Sequence, residues 1–191
     1  MTFRLPHAAL SLAVAVTAIF AAATFPESSY AGGNACQRWG NSEPQTLSNG
    51  EARKAIFCLI NEKRDAAGLP AFDRSRELQR AAQRHNDRMV GSGCFSHQCS
   101  GEPALDSRLN SVDYLINGLT RWACGENLAW GMYDHGTPRA IVGAWMDSSG
   151  HRANILSSSF REIGVGFSAG TPQSKNDPGG VYTTDFGLAV G

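Results

Sequence analysis

Apolar residues recur along this chain at two periods, and the changes between them mark out the elements. From Ala52 the positions Ala52, Ala55, Ile56, Leu59 and Ile60 follow the 3.6-residue period of a helix with one buried face. Ser48-Asn49-Gly50-Glu51 precedes them as a capping box, so the spacing predicts a helix from Ser48 to about Ala67, stopped by Gly68 and Pro70. A second helix is expected from Asp73 or Ser75 to Val90, with Leu78, Ala81, Ala82, His85 and Met89 on one face. His85 lies on that core stripe and reads as a hydrogen-bonded structural histidine.

Further on, Pro103 to Leu109 reads as a short helix, and Ser111 to Arg121 as an irregular link with a turn at Asn117-Gly118. Gly125 to Trp130 reads as an extended piece. Thr137-Pro138 has the N-cap and first-turn chemistry of a helix start, followed by the apolar face Ile141, Val142, Trp145 and Met146. Gly150 ends that helix and His151 opens the next. Ile163 to Phe167 and Val181 to Phe186 read as strands joined by a polar loop from Ala169 to Gly180. Helices and strands so interspersed suit an α+β fold, an antiparallel sheet with helices on both faces.

The first 31 residues change the picture. Arg4 and His7 precede a 16-residue uncharged run from Ala8 to Ala23, the charged start and short apolar body of a signal peptide. The run is too short and too rich in alanine for a membrane anchor, which needs about 20 strongly apolar residues. Cleavage is expected after Ala23 or Ala31, the latter favoured. Residues 32–47 then form an N-terminal arm and 48–191 one domain, with no transmembrane segment in the mature chain. Its destination is outside the cytoplasm, extracellular or periplasmic.

Lys and Arg number 17 and so do Asp and Glu, which leaves no basic footprint for nucleic acid. Five cysteines fit an exported chain, and an odd count leaves one thiol over. The pairing favoured here is Cys36 with Cys58 and Cys99 with Cys124, leaving Cys94 free. The alternative, Cys94 with Cys99, closes a tight loop around His97 and leaves Cys124. No C-x-x-C occurs, so a zinc site of the finger type is not expected.

Candidate chemistry gathers at His97, Glu126 and His151, each beside glycine or serine at the edge of a regular segment. Two neutral imidazoles can hold a divalent ion such as zinc, with Glu126 or water completing the shell. Glu126 could instead fix the tautomer of one histidine. Ser96, Asn127 and Ser148 are expected to line the cleft. A serine hydrolase is not favoured, because no G-x-S-x-G elbow accompanies Ser96, Ser148 or Ser149. Glu126→Gln is expected to leave folding nearly intact.

The words Phe95-Ser96-His97, Gly125-Glu126-Asn127-Leu128-Ala129-Trp130, Gly150-His151-Arg152-Ala153-Asn154-Ile155-Leu156 and Tyr182-Thr183-Thr184-Asp185-Phe186-Gly187 keep their order and spacing. In that order they resemble the bacterial branch of the CAP superfamily of cysteine-rich secretory, antigen 5 and pathogenesis-related proteins. The resemblance runs from about Ala52 to Phe186 and implies a three-layer α-β-α sandwich with a small central antiparallel sheet. It implies a cleft of two histidines and two acidic residues, of which His97, Glu126 and His151 match three. Ser148 stands where the family has its second glutamate, and Asp147, one residue earlier, is rotated about 100° around a helix. The expected function is a secreted binding module for a lipid, a cell-envelope component or an extracellular protein. The alternative is a metal-dependent hydrolase in which Glu126 is the base.

Overall fold

The structure is a computed structural model that describes residues 33–191. The expected leader therefore lies outside the described residues. Helix α1 (Gly33–Trp39) and a 3-10 turn (Pro44–Thr46) lead into α2 (Asn49–Ala66). A two-residue strand β1 (Asp73–Arg74), α3 (Arg76–Ser92) and α4 (Leu105–Asn110) follow, then β2 (Arg121–Met132). A second 3-10 turn (Tyr133–Gly136), α5 (Pro138–Asp147), α6 (Ser149–Ile155), β3 (Glu162–Ala169) and β4 (Gly179–Val190) complete the chain.

Local chemistry accounts for the helix ends. Ser48 accepts from the Glu51 backbone and Glu51 reaches back to the Ser48 amide, so the capping box starts α2. Ser75 and Thr137 cap α3 and α5 through their hydroxyls, and Gly93 closes α3 in the left-handed conformation. The arm contains α1, a helix too short to announce itself by period. The Cys36–Cys58 disulfide and an Arg139 hydrogen bond to the Cys36 carbonyl pin it to α2 and α5.

Strand order is β1-β3-β4-β2. The three long strands are antiparallel, with Glu126 opposite Asp185 and Asp185 opposite Gly164. The small edge strand β1 runs parallel to β3. Side chains alternate across the sheet. Ile163, Val165, Phe167, Tyr182 and Phe186 join α2, α5 and α6 in the larger core, with Trp145 at its centre. Leu128 and Val181 face Met89 of α3 on the other side. Helices on both faces of one small sheet make the expected α-β-α sandwich.

The α3 layer sits very close. A Cβ on Gly164 would stand 2.1 Å from the Gln79 nitrogen, and one on Gly166 2.5 Å from the Ala82 carbonyl oxygen. Both glycines let the α3 backbone lie on the sheet.

Disulfides differ from the favoured pairing. Cys36 joins Cys58 as expected, but Cys99 joins Cys94 and leaves Cys124 as the free thiol. The reason is geometric. Cys124 lies within β2 on the face packed by Leu78, Leu109 and Tyr114, whereas Cys94 and Cys99 are brought together by the turn that follows α3.

Candidate functional site

Glu126 is the centre of the site. It projects from β2 toward α3 and α4 with its side chain 3 % exposed, and both carboxylate oxygens are engaged. Oε1 lies 2.8 Å from His97 Nδ1, and Oε2 accepts from Arg108 Nη2 at 2.7 Å. Burial opposes ionisation of Glu126, but the His97 hydrogen bond and the Arg108 charge outweigh it and hold the carboxyl below its ordinary value. With Glu126 ionised, His97 carries its proton on Nδ1 and turns Nε2 outward; this tautomer follows from the hydrogen-bond network.

A second layer supports this arrangement. His85 of α3 is fully buried, with Nδ1 2.8 Å from Glu102 Oε1 and Nε2 4.0 Å from Glu126 Oε2, too long for a hydrogen bond. Glu102 accepts from the Cys99 amide, and Arg108 donates to the His97 carbonyl, so the disulfide-closed loop that carries His97 is held from both ends. His85 is the hydrogen-bonded histidine that its place on the core stripe suggested.

Asp185 adds a third carboxyl. It lies opposite Glu126 across β2 and β4 and is wholly buried. Burial first, and the Glu126 charge second, push it well above the usual carboxylate range. Of the two adjacent carboxyls, Glu126 is the one that Arg108 meets directly.

His151 comes from the other layer. It sits in α6, which Asn127 ties to the sheet by donating to the His151 carbonyl at 3.0 Å while accepting from Asn154. Arg64, reaching from α2, donates to the Ile155 and Ser157 carbonyls and fixes the end of the same helix. His151 is half-buried; burial, and then the nearby His97 charge, lower its pKa, so it loses its proton at a lower pH than His97 does. His97 and His151 are thus carried by opposite layers, near enough for the charge of one to bear on the other.

The remaining candidates take different places. Ser96 is exposed and accepts from the Gln98 amide. Asn127 is a fully buried brace on the sheet face opposite Glu126, and Ser148 joins α5 to α6 with no side-chain cap bond. Trp130 is exposed, on the Glu126 side. Among the described residues, the trio of ligand atoms gathered within 4.8 Å of one another is Cys36, Cys58 and Glu62, whose two sulfurs are already bonded together. His97, Glu126 and His151 are not drawn into such a group. Arg108, Glu102 and Asp185 were not singled out in the sequence, and they make Glu126→Gln costly, because Arg108 would lose its closest counter-charge.

The His97–Glu126 pair has a definite pH signature. The Glu126 hydrogen bond raises the His97 pKa above its ordinary value, with burial as the lesser, opposing influence. A raised folded-state value means that the pair's stabilisation is complete below about pH 6.5, the unfolded imidazole value, and is lost as pH rises through the higher folded value. The melting temperature of wild type should exceed that of His97→Gln at about pH 5.5, and the gap should narrow by about pH 9. A gap independent of pH would show that the pair carries no charge-dependent stability.

A small sheet sandwiched between helices in this way defines a class of fold before any name is attached. The model of the CAP, or cysteine-rich secretory protein, family matches residues 57–186, and the chain belongs to that family. An uncharacterized protein of Bacillus subtilis, YkwD, is 31% identical over 145 residues, which is 76% of this chain and 49% of that protein. The chain thus spans about half the length of this curated relative.

Among solved structures, an extracellular protein containing an SCP domain from Bacillus anthracis aligns with TM-score 0.59 and 26% identity over 72% of this chain and 40% of that one. An outer surface protein from Borrelia burgdorferi aligns with TM-score 0.62 over 75% of this chain and 96% of its own, at 17% identity, a likeness of fold. Among the described residues, no helix is long and apolar enough to cross a membrane.

Proposed function

We propose that this protein is an exported, non-enzymatic CAP domain that binds a lipid or cell-envelope ligand at the His97–His151 cleft, and that the cleft takes up a divalent metal such as zinc. The observation that carries the reading is the saturation of Glu126: one oxygen holds His97 and the other Arg108, so it orients a histidine and is no free base. The two disulfides, the apolar leader and the extracellular or surface character of the solved neighbours support export. His97 Nε2 and His151 would hold the metal with water, and nitrogen donors of this kind suit zinc. Bound zinc would supply Lewis acidity. Glu126 would stay outside the shell and keep the His97 ring in its tautomer.

Titration of zinc into metal-stripped protein at about pH 7 should give saturable binding, lost in both His97→Ala and His151→Ala. Absence of binding in folded wild type removes the metal from the reading. If a hydrolytic activity emerges that Glu126→Gln abolishes in protein still folded by thermal melt, the binding module gives way to the hydrolase.

A further inference from the structure

At the edge of the sheet remote from Glu126, a pocket of about 130 Å³ opens between α2, α3 and β1. Its floor is Ile163 and Val165 of β3, and three cations, Arg53, Lys54 and Arg74, line it. Among the described residues, no carboxylate lines it and none forms an ion pair with any of the three. The carboxylates whose charge reaches Arg53 and Lys54 are committed elsewhere: Asp87 to Gln83 and Ser168, Glu51 to Ser48.

Each cation is held by something other than an acid. Arg53 donates through Nη2 to Gln83 Oε1 at 2.5 Å, while its Nε is buried with no hydrogen-bond partner. Arg74 lies over the Phe57 ring at 4.2 Å and Lys54 beside Trp39 at 5.8 Å. Guanidinium groups without a carboxylate partner among the described residues leave their charge for an anion to neutralise. Gly50, Arg53, Lys54 and Phe57 are spaced along one side of α2, so the pocket runs beside that helix for about two turns.

We infer that this pocket is an anion site that takes a phosphoryl group. With about 130 Å³ of space, the pocket has room for one tetrahedral oxyanion. A carboxylate is satisfied by one two-pronged arginine, whereas three cations converging from α2 and β1 address several oxygens of a phosphoryl group. The group could be free phosphate, or the headgroup of a phospholipid whose tails stay outside.

NMR titration of the purified protein with inorganic phosphate tests this. Saturable shifts should centre on Gly50, Arg53 and Arg74, and Arg53→Gln/Arg74→Gln should weaken binding by about tenfold or more, given what charge-assisted bonds contribute. Arg121→Gln, away from the pocket, should change nothing. Vesicles of phosphatidylglycerol, compared with phosphatidylcholine, assign the source: sedimentation lost in the double variant means a headgroup, and phosphate binding without sedimentation means a soluble phosphate. The inference is overturned if wild type shows no saturable shifts, if the double variant binds as wild type, if Arg121→Gln weakens binding equally, or if acetate binds as tightly as phosphate.

Discussion

Arg108→Met should lower stability by about 3–5 kcal/mol, the cost of leaving a buried charge without its partner. Arg108 faces Glu126 and Glu102, at 2.7 and 3.8 Å, with all three side chains less than a tenth exposed. At roughly 2–4 °C per kcal/mol in a domain of this size, the melting temperature should fall by about 10 °C. Urea unfolding of Arg108→Met, Glu126→Gln and the double variant isolates the cause, since the double loss should be well below the sum of the single ones. Additive losses would mean that Arg108 acts by packing alone.

Gly164→Ala should be nearly as damaging, at about 3 kcal/mol, the upper end for overpacking a core. The atoms its Cβ would meet at 2.1 Å are the Gln79 nitrogen and the Leu78 carbonyl carbon, backbone atoms that cannot rotate aside. The helix must move off the sheet, taking His85 away from Glu126. Gly143 of α5 is the control, because a Cβ there meets nothing within 4 Å, and alanine should stabilise by up to about 1 kcal/mol. Equal denaturation midpoints for Gly164→Ala and wild type would refute the close-approach argument.

The parts of this molecule that a sequence reveals are those that local chemistry determines. The capping box of α2, the Thr137-Pro138 start of α5 and the apolar stripe of α3 stand where their residues place them. β1 has two residues and no period, and α1 is held by a disulfide and Arg139, so neither leaves a local trace. His97, Glu126 and His151 stand out as polar residues beside glycine and serine.

Their partners do not stand out. Arg108 lies 18 residues from Glu126 on a six-residue helix, and Asp185 resembles any strand acid until the register sets it opposite Glu126. One available signal was Ile163-Gly164-Val165-Gly166, since glycines alternating inside a strand mark a backbone approaching closely. The choice between Cys94 and Cys124 as partner for Cys99 depended on how far β2 begins before Gly125, and strand ends are weakly marked in sequence.

The outer strand β2 has a further consequence. Twelve residues of unpaired edge would invite another chain to extend the sheet. Here the Trp145 indole donates to the Leu128 carbonyl and the Asn154 amide to that of Glu126, while the opposite edge is the two-residue β1. Both ways of adding a strand are blunted, by side chains that cap two β2 carbonyls on one edge and by the shortness of the strand on the other.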